Sequence, residues 1–356
     1  MSFSAHPRRG ILLTRYNTRV RNFVSIDPSA RRGTAARQWL AKCKMLLLAP
    51  VLIGSACRQH VTPRQIDVVF SHNDRALLNE HVGIAEAAAH NRLGVGWNGP
   101  ANWDVKTQID LMEAAVRDHS YGIAVDPASR FAINTAIRDA LSTRIPVVVL
   151  LDPVYIAPSS HLYFVLEDTK ASAALVSARL NHIVKGAGEI AILGGDPLLP
   201  GSIERHQDLV TELRSSCPEL VVDDHQGGPS GSGYLEISTE QILRRHPHLS
   251  AIVALNMQAG LAAYAAIHND RVRKDVHLIV YDQSDELFIL LRRGEIDALI
   301  VQSMRTIGRQ AVSDIVADRR GTHPPEAIYV KPLLVTRENI DDEAIQQNLQ
   351  MNLPSP

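Results

Sequence analysis

Five polar residues stand where short apolar runs end. Asp126 follows Ile-Ala-Val, Asp152 follows Val-Val-Val-Leu-Leu, Asn256 follows Ile-Val-Ala-Leu, and Asp282 follows Leu-Ile-Val-Tyr; Asp74 comes a few residues after Val68-Val69-Phe70. Carboxylates accept hydrogen bonds and amides both donate and accept, so the set suits a ligand rich in hydroxyls, and bonds to a charged acceptor are the stronger kind. It does not suit covalent chemistry. The chain has no Gly-x-Ser-x-Gly elbow, no His-Glu-x-x-His pair and no Cys-x-x-Cys knuckle, so no enzyme, no cofactor and no metal site is expected. Any one Asp or Asn after a strand is as readily a turn or helix-capping residue. Their repetition favours a shared cleft.

The elements that would position these residues follow from the hydrophobic period. From residue 66 onward, β-branched apolar runs alternate with amphipathic stretches of about 11–17 residues, the pattern of βαβ units around parallel sheet. Strands are expected at Ile66–Phe70, Leu93–Trp97, Ile123–Val125, Pro146–Leu151, Glu189–Leu193, Leu220–Asp223, Ala251–Ala254, Val276–Tyr281 and Ala298–Val301. Apolar stripes at helical spacing run from Leu77 to Asn91 and from Ser129 to Thr143. The halves also repeat: Asp126 to Asn256 and Asp152 to Asp282 are both offsets of 130 residues. The expected fold class is therefore α/β, two similar Rossmann-like lobes with parallel sheets, hinged around a central cleft. Strand carboxyl ends are where such sheets bind ligands.

A chain of 356 residues exceeds what a single core usually holds, which agrees with two lobes. The net charge of −1 conceals an asymmetry. Residues 1–44 carry ten Lys/Arg against Asp27 alone, leaving 45–356 at −10. An acidic folded part argues against a nucleic-acid surface. The apolar block Met45–Ala56 follows Arg37, Lys42 and Lys44 and is too short to span a bilayer; it has the length and flanks of an export signal. Residues 1–56 are thus read as a leader outside the fold. The block resembles a bacterial lipoprotein signal with Cys57 as the acylated residue, although Gly54 stands where such signals usually have Leu. Gly54 and Ala56 fit a soluble-export cut equally. Cys217, left unpaired before Pro218, is read as a packing residue.

At Trp97-Asn98-Gly99-Pro100, with Asp104, Gln108, Met112, Glu113 and Val116 leading to Gly122-Ile-Ala-Val-Asp-Pro127, the chain resembles the type I periplasmic binding proteins of the ribose-binding class. It looks most like the branch holding rhamnose and autoinducer-2 receptors. Ile145-Pro146-Val147-Val148 ending in Asp152, the Asn256 strand end, Val280-Tyr281-Asp282, Leu291-Arg-Arg-Gly294 and Gln302 extend the resemblance over about residues 64 to 338. It implies an amino-terminal lobe of 64–167 plus 303–331 and a carboxy-terminal lobe of 168–302 plus 332–343. It implies ligand contacts at Asp152 and Asp74 from the first lobe, at Asn256 and Asp282 from the second, and at Gln302 near the last crossover. Two departures bear on the ligand. Asp74-Arg75-Ala76-Leu77 replaces an Asn-Pro-Phe-Phe run that supplies stacking rings in the ribose branch, and the arginine which that branch has near Ser202 or Ile203 is absent, with Arg205 better matching a helix position one turn in. A stacking ring would have to come from Trp97, Trp103, Tyr155 or Tyr281, each of which reads first as a packing residue.

The expected function is that of an exported, monomeric solute receptor in the periplasm or cell envelope. It would bind a sugar-like ligand for the membrane permease of an ABC-type importer, with a sensor kinase or chemoreceptor as the alternative partner. A Lac-repressor-type effector domain shares this fold, but Arg8 to Lys44 shows no helix-turn-helix pattern. Gly94, Gly96 and Gly99 spell a Gly-x-Gly-x-x-Gly, yet they fall inside and at the end of a strand, so no dinucleotide site is expected.

Overall fold

The computed structural model describes residues 64–72, 78–101, 104–195, 201–226, 232–269 and 275–349, all within the compact unit spanning 60–356. In chain order the first strands are β1 (Gln65–Val69), β2 (Gly94–Asn98), β3 (Gly122–Val125), β4 (Val147–Leu151) and β5 (Leu162–Glu167). Between them run α1 (Leu78–His90), α2 (Val105–Arg117) and α3 (Asn134–Ser142). Next come α4 (Thr169–Ile183), β6 (Ala187–Gly194), α5 (Ser202–Ser216), β7 (Glu219–Gln226), α6 (Ser232–Arg245), β8 (Leu249–Ala254), α7 (Met257–Asn269), β9 (His277–Tyr281), α8 (Asp285–Arg293) and β10 (Ala298–Val301). The chain closes with α9 (Met304–Arg319), β11 (Ala327–Val330), β12 (Leu333–Val335) and α10 (Glu343–Leu349).

Two six-stranded sheets result, ordered β11-β5-β4-β3-β1-β2 and β12-β10-β9-β8-β6-β7. Neighbouring strands are parallel except that β12 runs antiparallel to β10. The 130-residue repeat is visible in this order, because β3 and β4 hold the places in the first sheet that β8 and β9 hold in the second. Strands such as Val-Val-Val-Leu-Leu of β4 are apolar throughout because both faces are covered. Ile66, Val68, Ile84, Ile307 and Val312 form the core on one face of the first sheet, under α1 and α9; Val69, Met112, Ile137 and Val147 form it on the other, under α2 and α3. In the second sheet, Val176, Leu180 and Leu209 sit under α4 and α5, while Leu235, Ala263 and Phe288 sit under α6, α7 and α8. Cys217 is buried within the α4–α5 core.

The chain passes from one sheet to the other after β5, after β10 and after β11. Asp168, at the first of these passages, caps α4 by accepting the Ala171 N–H at 2.9 Å. The structure adds β5, β11 and β12 to the strands expected from periodicity, and α3 begins at Asn134 rather than near Ser129, the intervening residues forming turns. Among the described residues, no helix is long and apolar enough to cross a membrane.

Helices α1 and α9 cross at two glycines. A Cβ on Gly83 would overlap the Arg305 carbonyl, and one on Gly308 would overlap the Glu80 carbonyl. Main-chain atoms cannot rotate aside as a side chain can, so the overlap outweighs the gain of about 0.5–1 kcal/mol that Ala has over Gly in a helix. Gly83→Ala is expected to lower stability by about 1–3 kcal/mol, read as a fall in the denaturant midpoint with unchanged slope. An unchanged midpoint would mean that the two helices separate freely.

Candidate functional site

The carboxyl ends of the two sheets are bridged by the first turn of α5. Arg205, on that turn, donates from Nη2 to Glu167 Oε2 at 2.8 Å and from Nη1 to the Leu255 carbonyl at 2.8 Å; its Nη1 also lies 3.4 Å from Asp282 Oδ1. Its guanidinium is 5.1 Å from the Tyr281 ring centroid. One cation thus ties the end of β5, in the first sheet, to the ends of β8 and β9 in the second. Burial works against its charge, but Glu167 and Asp282 outweigh burial and hold the Arg205 pKa above the ordinary value. Residue 205 stands in the opening turn of a helix that starts at Ser202, the helix position that the sequence pattern gave it, and from there its side chain reaches the strand ends.

A second bridge lies beside it. Arg130, in the turns after β3, makes a two-pronged ion pair with Glu204, one prong at 2.6 Å, and also donates to the Tyr155 hydroxyl at 3.1 Å. Arg130 is buried and Glu204 partly so, a setting where a forked guanidinium–carboxylate pair is geometrically selective. Asp152 completes the contact between the sheets: a Cβ on Gly201 would overlap its carboxylate. Only glycine fits there, and at φ +76 only glycine adopts the backbone readily.

Asp152 and Asp282 therefore face one region from opposite sheets, as their repeat positions require. Both strand ends carry a non-glycine residue in the left-handed region, Leu151 at φ 64 and Asp282 at φ 73, a strained conformation of the kind found at binding sites. A cavity of about 550 Å³ opens on the Asp152 side, lined by Asp152, Glu167, Lys170, Gly201, Asp208 and Tyr329 among others, with Asp282 outside its lining. That is room for a small ligand. Asn256 stands at the end of β8, where its Oδ1 accepts the Ala259 N–H at 2.8 Å and so caps α7. Gln302 is 9% exposed, directly after β10 and beside Asp282, and neither of its amide atoms has a protein partner. Trp97 lies farther off on the edge strand β2, its ring 4.6 Å from His81 and 6.0 Å from Phe70. Tyr281 is fully buried beneath Arg205, and Tyr155 is exposed and stacked on Phe131 at 4.8 Å. Asp74, Trp103 and Cys57 lie outside the described residues.

Glu80, which the sequence pattern did not single out, adds a carboxyl near Asp126. Asp126 accepts the Ser71 hydroxyl at 2.5 Å, and burial raises its pKa. Glu80, in the first turn of α1, is completely buried with neither oxygen hydrogen-bonded; burial and then the neighbouring Asp126 push its pKa well up. Asp152 is pushed up to about 8, by burial first and then by Asp126 and Glu167, with Arg205 and Arg130 pulling the other way. Folding therefore favours protonated Asp152. With the pKa raised from an ordinary 3.8, this contribution is fully present below about pH 4 and fades as pH rises through about 8. Between pH 5 and 8 the ligand-free protein should lose more thermal stability than the Asp152→Asn variant does. Parallel curves for the two proteins would contradict the assignment.

Three comparisons with known proteins agree with this architecture. Residues 66–321 match the family of the periplasmic binding protein domain. The D-ribose/D-allose-binding protein of Pseudomonas aeruginosa is 23% identical over 241 residues, 65% of this chain and 75% of that protein. Among solved structures, a sugar-binding protein of a sugar ABC transporter from Bacillus halodurans superposes with a TM-score of 0.73 at 20% identity, covering 78% of this chain and 98% of its own. An ABC transporter solute-binding protein from Agrobacterium vitis, bound with α-D-tagatopyranose, gives 0.71 at 17% identity, with 80% and 98% covered. The family match spans well over half of the chain, and two parallel sheets meet at their carboxyl ends around one cavity: the chain belongs to the periplasmic binding protein family.

Proposed function

We propose that the protein is the exported receptor of an ABC-type importer and closes on a sugar held between its two sheets. The observation that carries this reading is the placement of Asp152 against Gly201 and of Asp282 beside Arg205, from equivalent strand ends, at the opening of α5, where the Arg130–Glu204 and Arg205–Glu167 pairs link the two sheets. Residues 64–167 with 303–331 form one lobe in this reading, 168–302 with 332–343 the other, and the passages between the sheets act as the hinge. Ligand contacts to both lobes favour the closed state over the open one, so binding and closure are a single equilibrium. Asp74, Trp97, Asn256 and Gln302 complete the proposed site; the unpaired amide of Gln302 gives a hydroxyl both a donor and an acceptor. Cys57 is the proposed lipid-anchoring residue. The Trp97-Asn98-Gly99-Pro100 strand end, followed by Gln108 bonded to the Asp126 carbonyl at 2.6 Å, supports a place near the rhamnose and autoinducer-2 branch.

The D-ribose/D-allose-binding protein and the solute-binding protein bound with α-D-tagatopyranose support a monosaccharide here. A thermal-shift screen across pentoses, hexoses, deoxy sugars, polyols and autoinducer-2 tests the reading, since a ligand at a hundred times its dissociation constant adds about 2.7 kcal/mol of stability. A hit is expected among the sugars. Asp152→Ala and Asp282→Ala should each weaken its binding by about 1.5–3 kcal/mol, and Gln302→Ala by less. Unaltered titration curves for both aspartate variants would refute the cleft assignment.

A further inference from the structure

The amino ends of the first sheet, opposite the strand ends that form the site, carry a charge contrary to the −10 of residues 45–356. All the strands of that sheet are parallel, so the segments entering them share one edge. Arg64 immediately precedes β1, Arg92 lies before β2, Arg117 before β3 and Arg144 before β4, while Arg319 and Arg320 close α9 on the way to β11. All six are exposed. In the same entering segments the exposed acids are Asp118 and Glu326. Two nearby carboxyls, Asp67 and Asp318, are buried and already accept hydrogen bonds, Asp67 from Gln65 and Asn98, Asp318 from the Tyr163 hydroxyl.

Helix carboxyl ends attract cations through the helix dipole, which accounts for Arg117 and Arg319 in the last turns of α2 and α9. It does not account for Arg64, which no helix carries, or for the way these guanidiniums gather. Arg64 and Arg319 lie 5.5 and 5.3 Å from the centroid of one ring, that of Tyr121. Arg319 is fixed there by donating from Nε to the Tyr121 carbonyl at 2.6 Å and from Nη2 to the Ser120 carbonyl at 3.3 Å. Arg320 donates to the Asn91 side chain at 3.1 Å. Among the described residues, none of Arg64, Arg92, Arg144, Arg319 and Arg320 forms an ion pair with a carboxylate, whereas Arg130, Arg205, Arg305 and Arg309 all do. A basin of about 830 Å³ opens beside the Tyr121 ring, lined by Arg64, Asp67, Asp118, His119, Tyr121 and Arg319 among others. Like charges gathered on one edge repel, and an anion from outside the chain relieves that repulsion.

We propose that this arginine edge docks on a bilayer of anionic phospholipid, its guanidiniums set against headgroup phosphates. The chain itself indicates the occupant: Arg64 follows Cys57 by seven residues, a reach of at most about 25 Å. A lipid on Cys57 therefore ties this edge to a membrane, with the site at the opposite strand ends. The inference rests on the Cys57 anchor proposed above, and the two are tested apart. The exported chain from residue 58 holds the whole compact unit of 60–356 and carries no acyl group. It is titrated into vesicles of phosphatidylcholine alone and of phosphatidylcholine with about one third phosphatidylglycerol. Binding is expected to the anionic vesicles only, and to fall steeply as salt rises above about 0.15 M. A cation beside an anionic surface contributes roughly fivefold, so the triple variant Arg64→Gln, Arg92→Gln, Arg144→Gln should bind about a hundredfold more weakly at an unchanged thermal midpoint, and each single variant about fivefold. The matched triple variant Arg214→Gln, Arg244→Gln, Arg293→Gln, in the last turns of α5, α6 and α8, should bind as wild type does. Equal binding to both kinds of vesicle, binding to neither, or equal losses in the two triple variants would each overturn the docking surface. The anchor is read separately, from the mass of the exported full-length product: an unmodified Cys57 would remove the anchor, and with it the ground for choosing a membrane as the occupant.

Discussion

The Arg205 guanidinium is the interaction on which the arrangement depends. Two parallel sheets that meet at their carboxyl ends bring acidic strand-end residues face to face, and carboxyls buried together repel. Arg205 lies where that repulsion would be greatest, bonded to Glu167 of the first sheet and to the Leu255 carbonyl of the second, with Asp282 at 3.4 Å. A guanidinium suits this position because its planar fork serves several acceptors at once and stays charged when buried. The Arg130–Glu204 pair performs the same task at the neighbouring strand end. Asp152, pressed against Gly201 between the two pairs, is left to compensate by holding a proton.

Opposing forces therefore act where the sheets meet. The ion pairs draw the sheets together while the uncompensated carboxyls and the left-handed residues Leu151 and Asp282 oppose closure. In the proposed function, a ligand that supplies donors at Asp152 and Gln302 offsets that opposition without breaking either ion pair. Closure then needs no lid or rearranged core. In the proposed closure the four packed faces of the two sheets stay intact and the passages after β5, β10 and β11 serve as the hinge.

Much of the fold could be read from sequence because its signals are local. Alternating β-branched runs and helical stripes located nine strands, and the 130-residue offset paired Asp126 with Asn256 and Asp152 with Asp282, an equivalence that the sheet orders reproduce. The strand β5 carried a usable signal in Leu-Tyr-Phe-Val-Leu, whereas β12 has only three residues and pairs antiparallel. The site was legible only where chemistry coincides with a strand end. Glu167, Arg130, Glu204 and Arg205 pair across separations of 38 and 74 residues, and no local pattern encodes such partners. Glu80 looks from sequence like an ordinary acidic first-turn residue, which stabilises a helix amino terminus; its complete burial depends on α9 packing over it. Asn256 shows the opposite limit, because the cap it forms on α7 is a local role that sequence allowed from the start.

The central claim is that ligand binding and closure of the two sheets are one event. Small-angle X-ray scattering of the Arg130→Ala protein, with and without the best ligand from the sugar screen, tests it most directly, because removing Arg130 takes away a bridge that holds the ligand-free sheets together. The account predicts a larger radius of gyration than wild type without ligand, returning to the wild-type value at saturation. Saturable binding with the radius unchanged would show that the ligand does not sit between the sheets, and would contradict it.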